Sequence, residues 1–165
     1  MARHVDCDVL FLPEGNSGVV KHVLVAMDFS KNADRALQQA LAIAAASGAK
    51  VECVHVYNGQ PSVFPKLQAA PLYKKVNQVP EAIQSEYELF QTLHQPDPAK
   101  VSFSFLDSSS DNISKVLKAY AKYTEADILF IGARGHNLAE RFLFGSVAEG
   151  MVSGAWLPTA IYIVR

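Results

Sequence analysis

The stretch HVLVAMDFSKNADRALQQALAIAAASGAKVECVHVY, residues 22–57, changes its hydrophobic period twice, and those changes decide the fold. Its opening, HVLVAMD (22–28), is a β-branched apolar run of the kind a strand buried on both faces requires. Ser30 then offers a side-chain oxygen to an early helix N–H, and Ala33, Ala36, Leu37, Ala40, Leu41 and Ala44 recur at helical spacing. Gly48 stands where a helix end needs a residue tolerant of positive φ, and KVECVHVY (50–57) is apolar and β-branched again. Strand, capped helix and strand in this order form a parallel βαβ unit, which needs a long right-handed crossover.

The same alternation continues toward the C-terminus. Residues 58–80 carry Gly59, Pro61, Pro65, Pro71 and Pro80 without a steady period, so they read as the least ordered internal stretch. EAIQSEYELFQTLH (81–94) reads as an amphipathic helix with Ile83, Tyr87, Leu89, Phe90 and Leu93 as its buried side. KVSFSFLD (100–107) is a third strand, SSSDN supplies cap chemistry for a helix over ISKVLKAYAKYTE, ADILFIG (126–132) is a fourth strand and TAIYIVR (159–165) a fifth. The expected class is α/β: an open five-stranded parallel sheet with helices on both faces. Residues 1–19 stand apart as a short strand-like arm, and residues 20–165 form the domain proper. The arm's CDVLFLPEG resembles PTAIYIVR near the C-terminus; it is either a relic of a final strand from an upstream copy of the domain or a plain pairing arm that covers an edge.

Composition narrows the partners. The chain has 165 residues, 50% of them hydrophobic and 19% charged, enough apolar material for one sizeable core. Fifteen Lys and Arg against 16 Asp and Glu give a net charge of -1, so no diffuse positive field exists to hold nucleic acid or an anionic membrane. Cys7 and Cys53 are far apart and form neither a disulfide framework nor a recognisable zinc spacing, which fits a reducing cytoplasm. MARHVDCDVLFLPEG lacks the apolar run of a signal or membrane-spanning segment.

Any phosphate must therefore be held locally, and GARGHNLAERFLFGS (132–146) supplies the means. Gly132 falls at a strand's carboxyl end, where ligands collect in open parallel sheets, and Gly145-Ser146 opens the next helix. Bare backbone lets N–H groups approach an anion, and a helix start adds unpaired donors. A Walker A loop is excluded because no Lys precedes Ser146, and the dinucleotide fingerprint is excluded because MDFSKNAD contains no Gly. A purely structural reading remains open at each position: Asp28 as a helix cap, Gly132 and Gly135 as a tight turn, Gly145 and Ser146 as a helix start, and Arg134 and His136 as solvated loop residues. His55, inside a strand, reads as a hydrogen-bonded core histidine.

The glycine motif, HVLVAMDFSKNADRAL and VHVY together resemble the nucleotide-binding branch of the universal stress protein family over about residues 20–165. The resemblance implies a Rossmann-like fold, an adenine nucleotide (ATP or AMP, with Mg2+) as ligand, and a homodimer formed through the last strand. It implies that Asp28 lies near ribose and phosphates, holding a metal together with the phosphates, and that Val56 meets adenine with its backbone. Ala26 would pack nearby, at a position where proline is common in the family. Ile131, Gly132 and Gly135 would shape the floor, Gly145, Ser146 and Val147 would supply donors to the phosphates, and Arg134 and His136 are further candidates for phosphate contact. The function expected is that of a cytoplasmic ATP-binding stress regulator. A slow ATPase or self-phosphorylating enzyme is the second reading, and a nucleotide-free dimeric interaction module the third.

Overall fold

The computed structural model describes residues 7–15, 18–59, 72–108, 111–134, 145–153 and 158–165. Eleven elements follow one another: β1 (Val9–Phe11), β2 (His22–Ala26), α1 (Lys31–Ser47), β3 (Lys50–Tyr57), β4 (Lys74–Val76), α2 (Glu81–His94), β5 (Val101–Asp107), α3 (Ile113–Tyr123), β6 (Ile128–Gly132), α4 (Ser146–Val152) and β7 (Ala160–Val164). They build one sheet in the order β1-β7-β6-β2-β3-β5-β4. The five central strands are parallel, and β1 and β4 are antiparallel additions at the two edges.

The local chemistry explains the elements. Ser30 caps α1, its Oγ accepting from Ala33 N–H at 3.2 Å, and Gly48 ends the helix at φ 74°, returning its N–H to Ala44 O at 2.8 Å. Asn112 caps α3 by accepting from Ser114 N–H at 2.9 Å. Strand alternation sends Val23 and Val25 into a core under α1 and α2, and Leu24 into a second core under α3 and α4. Both faces of the sheet are thus covered, which is why its strands carry so little polar alternation.

Two expectations need correction. The sheet has seven strands in place of five plus an arm, because β4 forms within the proline-rich connection, Lys74–Val76 pairing antiparallel with Phe105–Asp107. On α2, Phe90 is buried, whereas Leu89 is 60% and Leu93 68% exposed. The helix rolls its Ile83–Tyr87–Phe90 arc onto Phe103 and Phe105, and at about 100° per residue the two leucines fall on the flank of that arc. At the opposite edge of the sheet, β7 carries β1 of the same chain, in the register Val9↔Ile163, Leu10↔Tyr162, Phe11↔Ile161. Arg165 N–H donates to Asp8 Oδ1 at 2.8 Å alongside this ladder.

Candidate functional site

The chain runs rightward from β2 through β3 to β5, then crosses back to β6 on β2's other side, so the topology reverses between β2 and β6. Crevices outside the carboxyl ends of strands open at such points. One lies here, a cavity of about 260 Å³ beneath the start of α4, near the lower end of the few hundred cubic ångströms usual for small-ligand sites.

Its first wall is the turn from β2 into α1. Ser30 N–H donates to Asp28 Oδ1 at 3.0 Å, closing a local turn around the carboxylate. Phe29 adopts φ 59°, a left-handed conformation uncommon for a side chain of its size. It is held there by ring contacts with His55 at 5.0 Å and Phe90 at 5.9 Å. His55 Nδ1–H donates to Met27 O at 2.8 Å; because a carbonyl can only accept, Nδ1 carries the proton. Burial holds the imidazole's pKa below the usual histidine value despite that bond, so His55 is a neutral brace under the turn.

The second wall is main chain. Along β3, Val54 O accepts from Met27 N–H at 2.9 Å on the β2 side, whereas Tyr57 O accepts from Ser108 N–H at 2.9 Å on the β5 side. Val56 shares Val54's parity, so its N–H and C=O face β2's side beyond that last rung, where β2 has already turned away toward α1. Val54, Ile113 and Leu117 supply apolar surface beside this peptide edge.

The third wall is the exit of β6. Ala133 N–H donates to Val164 O at 2.7 Å and Gly145 N–H donates to Ala133 O at 2.7 Å, so the chain leaves and re-enters at adjoining points. Gly145 caps α4 without a side-chain bond, and the first main-chain rung is Glu149 N–H to Gly145 O at 2.9 Å. The amides of Ser146, Val147 and Ala148 precede that rung and have no acceptor within the helix. Asn32 Nδ2 donates to Arg134 O at 3.1 Å, tying the start of α1 to the same exit. A Cβ at Gly132 would lie 2.8 Å from Asn32 Cβ and 3.3 Å from Ala33 N, so this glycine is required by the approach of α1.

Ala26, Asp28 and Val56 line this cavity together with Ile131, Gly132 and Arg134, and Gly145, Ser146 and Val147 complete its upper side. Gly135 and His136 lie outside the described residues. Sequence reasoning missed Val54, Ala133, Ile113 and Leu117. The last two, four apart at the start of α3, carry a signal identical to that of ordinary core positions. Asp28 and Arg134 are the charged residues of the lining, and among the described residues no three His, Cys, Asp or Glu side chains cluster as a metal site. No described helix is long and apolar enough to cross a membrane.

A doubly wound α/β domain with a rim crevice walled by a peptide edge, apolar side chains and a helix start is the class of protein these features define. Within that class the chain belongs to the universal stress protein family, whose model matches residues 20–162. A universal stress protein of Staphylococcus aureus strain USA300 is 28% identical over 145 residues, 88% of this chain and 84% of that one. A solved universal stress protein from Archaeoglobus fulgidus in complex with dAMP superposes with a TM-score of 0.58 at 18% identity, over 88% of this chain and 98% of its own. A second solved A. fulgidus universal stress protein, from strain DSM 4304, has a TM-score of 0.62 at 20% identity over 96% of this chain. This chain spans about half, 49%, of that longer one.

Proposed function

We propose that the crevice binds an adenine nucleotide and that the chain is a nucleotide-responsive regulator. The observation that carries this reading is the unpaired edge of Val56, a donor and an acceptor side by side between apolar walls, the pattern that a planar purine edge complements. The residues present fit such a ligand. Val54, Ile113 and Leu117 would enclose the base, Asp28 would accept from a ribose hydroxyl, and the amides of Ser146 and Val147 with the Ser146 hydroxyl would donate to phosphate. Arg134 offers the compensating charge. The dAMP carried by the A. fulgidus relative supports the ligand class. With ATP, Mg2+ would be held by phosphate oxygens, water and Asp28, since Mg2+ is content with one or two carboxylates and phosphates.

Binding is favoured over turnover because phosphoryl transfer needs a positioned base or nucleophile and a charge-stabilising group, and the lining's Asp28, Arg134 and Ser146 form no arrangement that specifies those roles. Regulation would follow from different affinities of the nucleotide for two conformations of the chain or of its dimer. Pairing of two copies through β7 belongs to this proposal only with β1 displaced from that edge. A reducing compartment suits the free cysteines, Cys7 exposed and Cys53 buried.

Native mass spectrometry of the purified chain, followed by calorimetric titration with AMP and with ATP and Mg2+, tests the proposal. The expected result is saturable binding at one site per chain, with ADP release no faster than in a protein-free control. A chain that carries no nucleotide and binds neither ligand would overturn it.

A further inference from the structure

One wall of the crevice is set from the far side of the sheet. α2 packs over the face opposite α3 and α4, and none of the cavity's described lining residues belongs to it. Phe29 is where α2 meets the turn that does line the cavity. Its ring stacks on His55 at 5.0 Å with 25° between the planes, and meets Phe90, α2's buried residue, at 5.9 Å. We propose that Phe29 is a positioning residue of the crevice: the clamp of His55 and Phe90 on its ring holds its backbone left-handed, and that backbone fixes Asp28 and the start of α1.

Three observations support this. First, the conformation is out of place. Among the described residues, Phe29, Gln95 and Glu125 combine a side chain with positive φ. Gln95 ends α2 and Glu125 follows the cap of α3, and a left-handed residue is a common way for a helix to stop. Phe29, at φ 59°, instead stands directly before Ser30, the N-cap of α1. A bulky residue gains nothing there from the backbone itself, and the two ring contacts supply the compensation.

Second, the torsion lies inside a closed ring. Ser30 N–H donates to Asp28 Oδ1 at 3.0 Å, and the covalent path between those groups runs through φ and ψ of Phe29. At negative φ either that bond opens or the Asp28 side chain turns with it, and in both cases the carboxylate leaves its place in the cavity wall. Third, the same turn delivers α1. Ser30 Oγ accepts from Ala33 N–H at 3.2 Å, Asn32 Nδ2 donates to Arg134 O at 3.1 Å, and the Asn32–Ala33 backbone passes close beside Gly132. A change at Phe29 therefore reaches both Asp28 and the exit of β6. Phe29 itself is half-buried against the α1–α2 core and is absent from the lining, so it acts through these neighbours. Its effect on affinity rests on the nucleotide reading above; its hold on the turn does not.

The test separates backbone from packing. Asn is among the residues that tolerate positive φ, whereas a β-branched residue there is an outlier. Phe29→Asn therefore discards the ring and keeps the turn, while Phe29→Ile keeps apolar bulk and loses the turn. In the full chain titrated with AMP, Phe29→Asn is expected to bind within about threefold of wild type despite a lower thermal midpoint, and Phe29→Ile about tenfold more weakly. Phe29→Ala, which removes the clamp without the tolerance of Asn, is expected to follow Phe29→Ile and replaces it should that variant not fold. Phe90→Leu is expected to weaken binding about threefold in wild type and not at all in the Phe29→Asn background. Without nucleotide, the amide-to-Hα nuclear Overhauser effect within residue 29, intense at positive φ, should persist in Phe29→Asn and fade in Phe29→Ile and Phe29→Ala. Affinities that follow side-chain bulk, with Phe29→Ile binding better than Phe29→Asn, would overturn the proposal. So would an undiminished Overhauser effect in Phe29→Ile and Phe29→Ala, or equal losses from Phe90→Leu in both backgrounds. A wild type that binds no AMP would sink the nucleotide reading alone, and the Overhauser effect would then decide the hold of Phe29 on the turn.

Discussion

Toward the amino ends of the central strands a set of charged and hydroxyl side chains is tied into one network, whereas at their carboxyl ends main-chain groups face a cavity. At the amino end, Asp127 Oδ2 accepts from Lys21 N–H at 2.7 Å and His22 N–H at 2.9 Å, and His22 Nε2 lies 3.3 Å from Glu52 Oε2. Glu52 Oε1 accepts from Tyr120 Oη at 2.7 Å and from Ser104 Oγ, with Lys75 Nζ 3.8 Å away. Burial and the neighbouring carboxylate push the Tyr120 phenol well above its usual pKa, so it stays a donor. Such a satisfied network is worth keeping for stability and offers nothing to a ligand. The same strands, a few residues on, spend Gly132, Gly145 and the edge of Val56 on a crevice. Polar groups left open within an otherwise well-paired domain are what distinguish a site from a scaffold.

The sharpest way to break this contrast is to damage each end in turn. Glu52→Ala removes the acceptor of two hydroxyls in a largely buried place and should cost roughly 3 kcal/mol in urea unfolding. Nucleotide affinity of the folded chain should be unchanged, and a large loss of affinity would show that the two ends are not separate. Gly132→Val acts at the other end, driving a side chain into Asn32 and the first turn of α1. It should cost about 2 kcal/mol and abolish measurable nucleotide binding, so its thermal midpoint must be read beside its titration. Ser146→Ala should sharpen the distinction by weakening nucleotide about tenfold, the effect of one hydrogen bond to a charged group, with the thermal midpoint unmoved.

The smallest expected effect concerns His55, which braces the crevice from below. Its folded pKa lies under the ordinary value of 6.5, so on acidification the unfolded chain takes the proton first. Stability attributable to His55 is therefore complete above about pH 6.5 and declines as pH falls below it. Denaturation midpoints measured along that limb should flatten in His55→Gln; an unaltered limb would assign the acid sensitivity to other groups.

Much of the architecture could be read from local chemistry because local chemistry produces it. Ser30 and Gly48 bound α1, and the apolar runs of β2 and β6 announce strands covered on both faces. What escaped has physical reasons. β4 is three residues, two of them Lys, and is a strand only because β5 offers it an edge. Leu89 and Leu93 satisfy the helical period as well as Phe90 does, and only the roll of α2 on Phe103 and Phe105 decides which arc is covered. At the crevice, Ile113 and Leu117 read as core, while Gly132 read as a place for an anion without its second reason, the packing of α1, which involves a residue 100 positions away. The parity that turns Val56 toward the gap follows from where β2 ends, and a sequence places strand ends only to within a few residues.

The central claim is that an adenine nucleotide lies against the Val56 edge with its phosphates at the start of α4. Amide chemical-shift mapping of the full chain titrated with AMP tests it most directly. The account predicts saturating shifts largest at Val56, Ala133, Ser146 and Val147, with His22, Glu52 and Tyr120 unmoved. Shifts that fail to saturate, or that centre on the amino end of the strands, would contradict it.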